Sequence, residues 1–168
     1  MYKINEIYNF TRDLFEQSDV KFEHCRHQAI TNYDIDEQVC QQFSWTAAPT
    51  KSLFLKLKGA EKTFALLFTH KDQRLDSKAV KSLIGKRPSI SSNEEMIEQL
   101  GCVPGAVCPF VMNEAIQIIV DPILFTHKEL LFTPGDPKST FIFNSDDLSK
   151  LLINLPNAIH YLPNNTTE

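Results

Sequence analysis

Two short stretches, far apart in the chain, hold the residues best suited to chemistry. The first is Lys51 with Thr50 and Ser52 on either side, a cation between two hydroxyls at the head of a strand-like run. The second is Gly101-Cys102-Val103-Pro104-Gly105. Its glycines permit backbone conformations that aim N–H groups at a ligand oxygen, an arrangement that polarises a carbonyl. Each also has an ordinary reading, as a solvated lysine and as a turn that closes a helix. The other chemically able residues are dispersed. His24 and Arg26 fall on one side of an extended segment, Cys25 and His27 on the other, and two ligands from one strand do not make a metal site. Cysteines 25, 40, 102 and 108 lack the two-residue spacing of zinc or redox pairs and read as reduced thiols. Cys102 and Cys108 have no sequence neighbour that would lower a thiol pKa, so they read as bystanders. No Walker loop, dinucleotide fingerprint or nucleophile elbow occurs. No metal and no cofactor are expected.

The elements that must position these residues follow from periodicity. Ile4, Ile7, Tyr8, Leu14 and Phe15 recur at helical spacing over 4–17, and Ile35, Val39 and Phe43 do so over 34–43. Leu53, Leu55 and Leu57 alternate through 51–58, and 63–69 is a second β-rich run, so the pair reads as a hairpin. Asp76 or Ser77 opens a helix to about Ile84. Ser92 and Glu95 form a capping-box signature for a helix to Leu100, with Gly101 at its C-terminal end. Strands are expected at 116–120, 129–132 and 140–143, and Ser145 should cap a last helix through Leu148, Leu151 and Leu152. The irregular interleaving of helices and strands predicts an α+β fold, a single domain with a mixed sheet surrounded by helices.

Composition bounds the partners. The chain has 168 residues and a net charge of −4, long enough for one domain with a real core. Twelve Phe against one Trp point to a phenylalanine-rich interior. The longest apolar runs are about five residues, against the ~20 of a membrane span. The N-terminus lacks the pattern of a secretory signal, so a cytoplasmic location is expected. Charge is segregated: residues 51–87 net +7 and the remainder −11. That suggests a polyanion met on one side, or simply a lysine-decorated surface.

The order of these segments carries more than any one of them. Thr50-Lys51-Ser52-Leu53-Phe54-Leu55-Lys56 is followed by the hairpin, Arg74–Ala79, Ile90–Glu95 and then Leu100-Gly101-Cys102-Val103-Pro104-Gly105-Ala106-Val107-Cys108-Pro109-Phe110. His27-Gln28-Ala29-Ile30-Thr31 lies upstream; Val120-Asp121 and Phe132-Thr133-Pro134-Gly135 lie downstream. This sequence resembles the YbaK/prolyl-tRNA editing domain family over about residues 20–152. The resemblance implies that fold and an aminoacyl-tRNA deacylase acting in trans on mischarged tRNA, with tRNA-Pro carrying Ala or Cys as the expected substrate. It assigns catalytic positions to Lys51, Gly101, Pro104 and Gly105, and substrate contacts to His27, Thr31, Ser52, Thr133 and Pro134. The substrate's terminal ribose hydroxyl and a bound water are implied to do much of the chemistry. The +7 segment then meets tRNA phosphates, through Lys56, Lys58, Lys71 and Arg74. An aminoacyl-tRNA synthetase is a second candidate partner; DNA and membranes are not expected. The chain divides into an N-terminal helix (1–19), the editing domain (20–155) and a polar tail (156–168). Ser52 stands where the family commonly has Asn, Thr133 where a subgroup has His, and Gln28 where the family has Pro; these positions bear on amino-acid specificity. The rival reading is a non-catalytic tRNA- or protein-binding module of the same fold.

Overall fold

The computed structural model of the chain describes residues 2–30, 32–59 and 63–164. Helix α1 (Ile4–Gln17) buries Ile7, Thr11, Leu14 and Phe15. Phe15 sits fully enclosed, its ring within 5.0–5.8 Å of those of Phe22, Phe110, Phe132, Phe141 and Phe143. Those rings come from four separate parts of the sequence, which is why one helix can hold so much of the sheet. Each buried Phe removes roughly 150–250 Å² from water, the largest apolar contribution a single residue makes here.

Strand β1 (Phe22–Arg26) is followed by α2 (Tyr33–Phe43), whose first turn is capped by the Asn32 side chain. Then come β2 (Ala48–Leu57), β3 (Phe64–His70), α3 (Ser77–Ile84), β4 (Pro88–Ile90) and α4 (Asn93–Leu100). Asp76 caps α3, and the Ser92/Glu95 capping box opens α4 as the sequence predicts. The chain continues through β5 (Gln117–Val120), β6 (Glu129–Phe132), β7 (Ser139–Asn144), α5 (Leu148–Ile153) and β8 (Ile159–Tyr161).

Two expectations are corrected. Ser145 does not cap the last helix; its hydroxyl donates to the His127 carbonyl, and Asn144 instead accepts from the Asp146 N–H to cap a 3-10 turn at Ser145–Asp147 that leads into α5. The stretch read as a polar tail contains β8, and Asn157 ahead of it is buried, donating to the carbonyls of Ile116 and Asn113 at 2.8 and 3.0 Å. A three-residue strand shows no alternation by which to find it.

The sheet runs β1-β7-β6-β2-β3-β5-β8, with β4 also on β2. It is mixed: β2 is antiparallel to β3 but parallel to β6, and β3, β5 and β8 are parallel. One edge of β2 is shared by two neighbours. Strand β6 pairs only with Ala48 and Pro49, and β4 only with Leu55, Lys56 and Leu57. Between them the sheet is split. Hydrogen bonds from Lys71 N–H to the Pro49 carbonyl and from Leu57 N–H to that of Thr63 show that odd-numbered peptides face β3. Those from Ser91 to Phe54 and from Lys58 to Arg87 show that even-numbered ones face the other edge. Ser52 therefore turns its backbone into the split, with no strand of the described residues opposite it.

Candidate active site

The split opens onto a cavity of about 320 Å³. Its floor is Thr50–Leu53 of β2, and one wall is Gly105–Val107. The opposite wall is built from Leu131–Thr133, Pro137, Ser139 and Thr140, and α2 contributes Asn32 and Asp36. Lys51, Ser52, Gly105 and Thr133, distant in sequence, thus face one space.

Local chemistry explains the Gly105 wall. Val103-Pro104-Gly105-Ala106 closes a turn with Ala106 N–H donating to the Val103 carbonyl at 2.9 Å, and Gly105 takes φ +85°. Pro at the second position and a left-handed Gly at the third give a type II turn. Pro104 shapes this turn without lining the cavity. Gly101 has a different task. Its N–H closes α4 on the Ile97 carbonyl at 2.8 Å, at φ +75°, and a Cβ there would fall 2.2 Å from the Tyr2 carbonyl oxygen. It neither lines the cavity nor has an amide to offer. The donors at hand are the N–H groups of Gly105 and Val107, which have no hydrogen-bond acceptor among the described residues.

Lys51 and Ser52 are likewise uncommitted. The Lys51 ammonium makes no ion pair or hydrogen bond with a described residue, and burial holds its pKa below the ordinary lysine value despite the opposing pull of Asp72. The Ser52 hydroxyl oxygen is buried without a hydrogen-bond partner among the described residues. An unpaired cation and an orphan hydroxyl at a cavity floor cost stability. Both are positioned for an incoming polar group.

The remaining hydroxyls on the wall are spoken for. Thr50 Oγ1 donates to the Leu131 carbonyl at 2.7 Å and ties β2 to β6 beside the split. Thr133 donates to the Asp136 carbonyl at 3.1 Å. His27 stands behind the wall: its Nδ1 lies 2.6 Å from the Gln28 carbonyl and its Nε2 2.8 Å from Thr140 Oγ1. A carbonyl can only accept, so the proton belongs on Nδ1, and the Thr140 hydroxyl donates to Nε2. Pro134 is buried beneath its loop and Pro137 lines the cavity instead. Thr31 lies outside the described residues.

The four basic residues assigned to phosphate do not form one face. Lys71 is at the cavity, paired with Asp36 at 2.9 Å; burial pulls its pKa down, but the hydrogen bond to Asp36 and the negative charges of Asp36, Cys40 and Asp72 together raise it. Lys56 pairs with Glu95 at 2.9 Å, and Lys58 is exposed, both toward the far end of β2. At ~3.3 Å per residue that end is some 20 Å from Lys51. Arg74 borders a second, smaller hollow with Gln73, Asp76 and Asp121. Sequence reasoning also missed Asp36, Ser139, Thr140 and Val107; nothing in the local pattern links them to Lys51.

Cys102 and Cys108 are buried, and burial with the neighbouring Cys102 pushes the Cys108 thiol up to about 12. Among the described residues no three His, Cys, Asp or Glu side chains come together to hold a metal ion. No helix among them is long and apolar enough to cross a membrane.

A family model, the aminoacyl-tRNA editing domain, matches residues 32–151. The chain belongs to the aminoacyl-tRNA editing domain family. Membership carries the enzyme class expected from the sequence, a hydrolase acting on the ester of aminoacyl-tRNA. A relative in Escherichia coli strain K12, the multifunctional Ser/Thr-tRNA deacylase ProXp-y, is 27% identical over 141 residues, 82% of this chain and 83% of its own. Among solved structures, a proposed trans-editing enzyme for prolyl tRNA synthetase superposes with a TM-score of 0.71 at 20% identity, covering 95% of this chain and 98% of its own. A hypothetical protein superposes at 0.74 and 18%, covering 90% and 97%. Both share the α+β editing-domain fold.

Proposed function

We propose that this editing domain acts in trans, in the cytoplasm, on tRNA mischarged with a small amino acid, serine and threonine foremost. The observation that carries the reading is the cavity's set of uncommitted polar groups: the Lys51 ammonium, the Ser52 hydroxyl and the amides of Gly105 and Val107. The ester carbonyl oxygen gains negative charge as water adds to its carbon. Fixed N–H donors and a nearby ammonium stabilise that charge without reorganising, and a single such donor is worth about 3–4 kcal/mol. Collapse breaks the bond to the ribose oxygen, which takes up a proton; the free amino acid leaves. An ester needs less activation than an amide, so positioning and charge stabilisation suffice.

Serine and threonine are favoured by the relative's activity and by Ser52, whose buried hydroxyl can exchange a hydrogen bond with a substrate hydroxyl. The assignment of Lys51, Ser52, Gly105 and Thr133 to substrate contact belongs to this reading, as does tRNA contact by Lys58 and Arg74. The likeness to a prolyl-tRNA synthetase trans-editing structure supports a second reading, tRNA-Pro carrying Ala or Cys, with a synthetase as partner. Deacylation assays with purified protein against Ser-, Thr-, Ala-, Cys- and Pro-charged tRNA decide between them. Release of Ser and Thr should be fastest. Release of none would leave a binding module.

A further inference from the structure

Among the described residues that line the cavity, Asp36 is the only carboxylate, facing a space that also contains Lys51 and Lys71. Its side chain is 17% exposed, and Lys71 Nζ takes Oδ2 at 2.9 Å. Among the described residues its other oxygen meets only the Cys40 thiol, a weak donor at 3.9 Å. An ionised carboxylate has about four acceptor positions, so Asp36 retains capacity toward the cavity. Its backbone is fixed by the Asn32 cap at the start of α2, and Lys71 is fixed by its N–H bond to the Pro49 carbonyl, beside the cavity floor.

Every aminoacyl ester carries a cation, its α-ammonium, next to the carbonyl under attack. The Lys51, Gly105 and Val107 donors suit the carbonyl oxygen but would repel or ignore that cation. We infer that Asp36 receives the α-ammonium of the aminoacyl group, with Lys71 as the positioning residue that holds the carboxylate in place. The inference rests on the reading of the cavity as an aminoacyl-ester site. It gives the enzyme a way to distinguish a free amino acid ester from an ester whose amine is absent or blocked.

The test compares two substrates of equal size on the full-length protein. One is Ser-tRNA; the other is the α-hydroxyacyl-tRNA of the same side chain, in which a hydroxyl replaces the ammonium. Hydrogen bonds to charged groups are worth enough that wild type should favour Ser-tRNA by about ten- to a hundredfold in kcat/KM. Asp36→Asn should slow Ser-tRNA to near the α-hydroxyacyl rate while leaving the latter almost unchanged. Asp36→Glu should recover part of the preference. Lack of any preference in wild type overturns the inference, whatever the variants do. So does an Asp36→Asn variant that slows both substrates alike, since that is the behaviour of a clasp between α2 and β3. A wild type that cleaves neither ester, nor any other aminoacyl-tRNA, overturns the deacylase reading itself.

Discussion

Lys51 and Lys58 stand on one strand and its immediate extension, seven positions apart, and carry the same nominal charge. At one end, burial lowers the Lys51 pKa, Asp72 offsets this only in part, and no described residue forms an ion pair with the ammonium. At the other, Lys58 is exposed, Lys56 is answered by Glu95, and Gly59 has open space around it. The backbone differs in the same sense. Strand β4 completes the ladder near Lys58, whereas near Lys51 no strand of the described residues faces Ser52. A cation's function is therefore set by what surrounds it, and a positive stretch in sequence need not be a positive surface.

The strongest way to break this contrast is to remove each lysine. Lys51→Ala should lower kcat about 10²–10³-fold, the usual loss for a preorganised charge-stabilising group. Lys58→Ala should leave kcat unchanged; steady-state deacylation of both variants reads this, and equal losses would erase the distinction between the two ends.

Two glycines sharpen it next. Gly101→Val meets the Tyr2 backbone as well as an unfavourable φ, and should cost more than the ~1–3 kcal/mol of backbone strain alone. Gly59→Ala, with φ +100° but nothing within 4 Å, should cost the strain only. Urea unfolding midpoints compare them. Ser52→Ala removes an orphan buried hydroxyl. Thermal stability should hold or rise, by up to ~1 kcal/mol, while turnover of Ser- and Thr-tRNA falls several-fold relative to Ala-tRNA.

The far end should matter for long-range attraction alone. Lys58→Ala should reduce the salt slope of tRNA binding by about 1 and leave kcat alone, as loss of one phosphate contact does. Filter-binding titrations at several salt concentrations measure it.

The smallest effect is a pH dependence at the cavity end of β3. Burial lowers the His70 pKa, aided by the stacked His127 ring 5.0 Å away. The unfolded chain, with an imidazole near 6.5, then binds the proton before the native state does. Stability should fall as pH drops below about 6.5, and His70→Gln should flatten that slope in thermal melts at pH 5–8.

Much of the frame was legible in sequence. The Leu53, Leu55 and Leu57 alternation, the Ser92/Glu95 box and the Asp76 cap each act within a few residues, so local pattern suffices to place β2, α4 and α3. The Lys51 segment and the Pro104-Gly105 turn were visible because their order matches a known family. What stayed hidden depends on partners remote in the chain. Asp36 gains meaning only from Lys71, Thr140 only from His27, and β8 only from β5. Gly101 misled for a related reason: its φ was predictable, but the Tyr2 carbonyl that occupies the space beside it belongs to the opposite end of the sequence. The same holds for Gly135, where a Cβ would fall 2.6 Å from Ile7 Cγ2. Both site loops rest on the segment that begins α1, which the sequence set apart as a separate helix.

The split beside β2 also bears on how such a protein can diverge. Its Ser52, Gly105 and Val107 N–H groups are main chain, present whatever side chain occupies the position, and lost at once only if proline takes it. Substitutions along the wall can therefore reshape the amino-acid pocket while leaving these donors in place. A scaffold of this kind inherits its polar geometry through the fold and can explore new substrates by altering a few wall residues, without rebuilding the machinery that handles the ester.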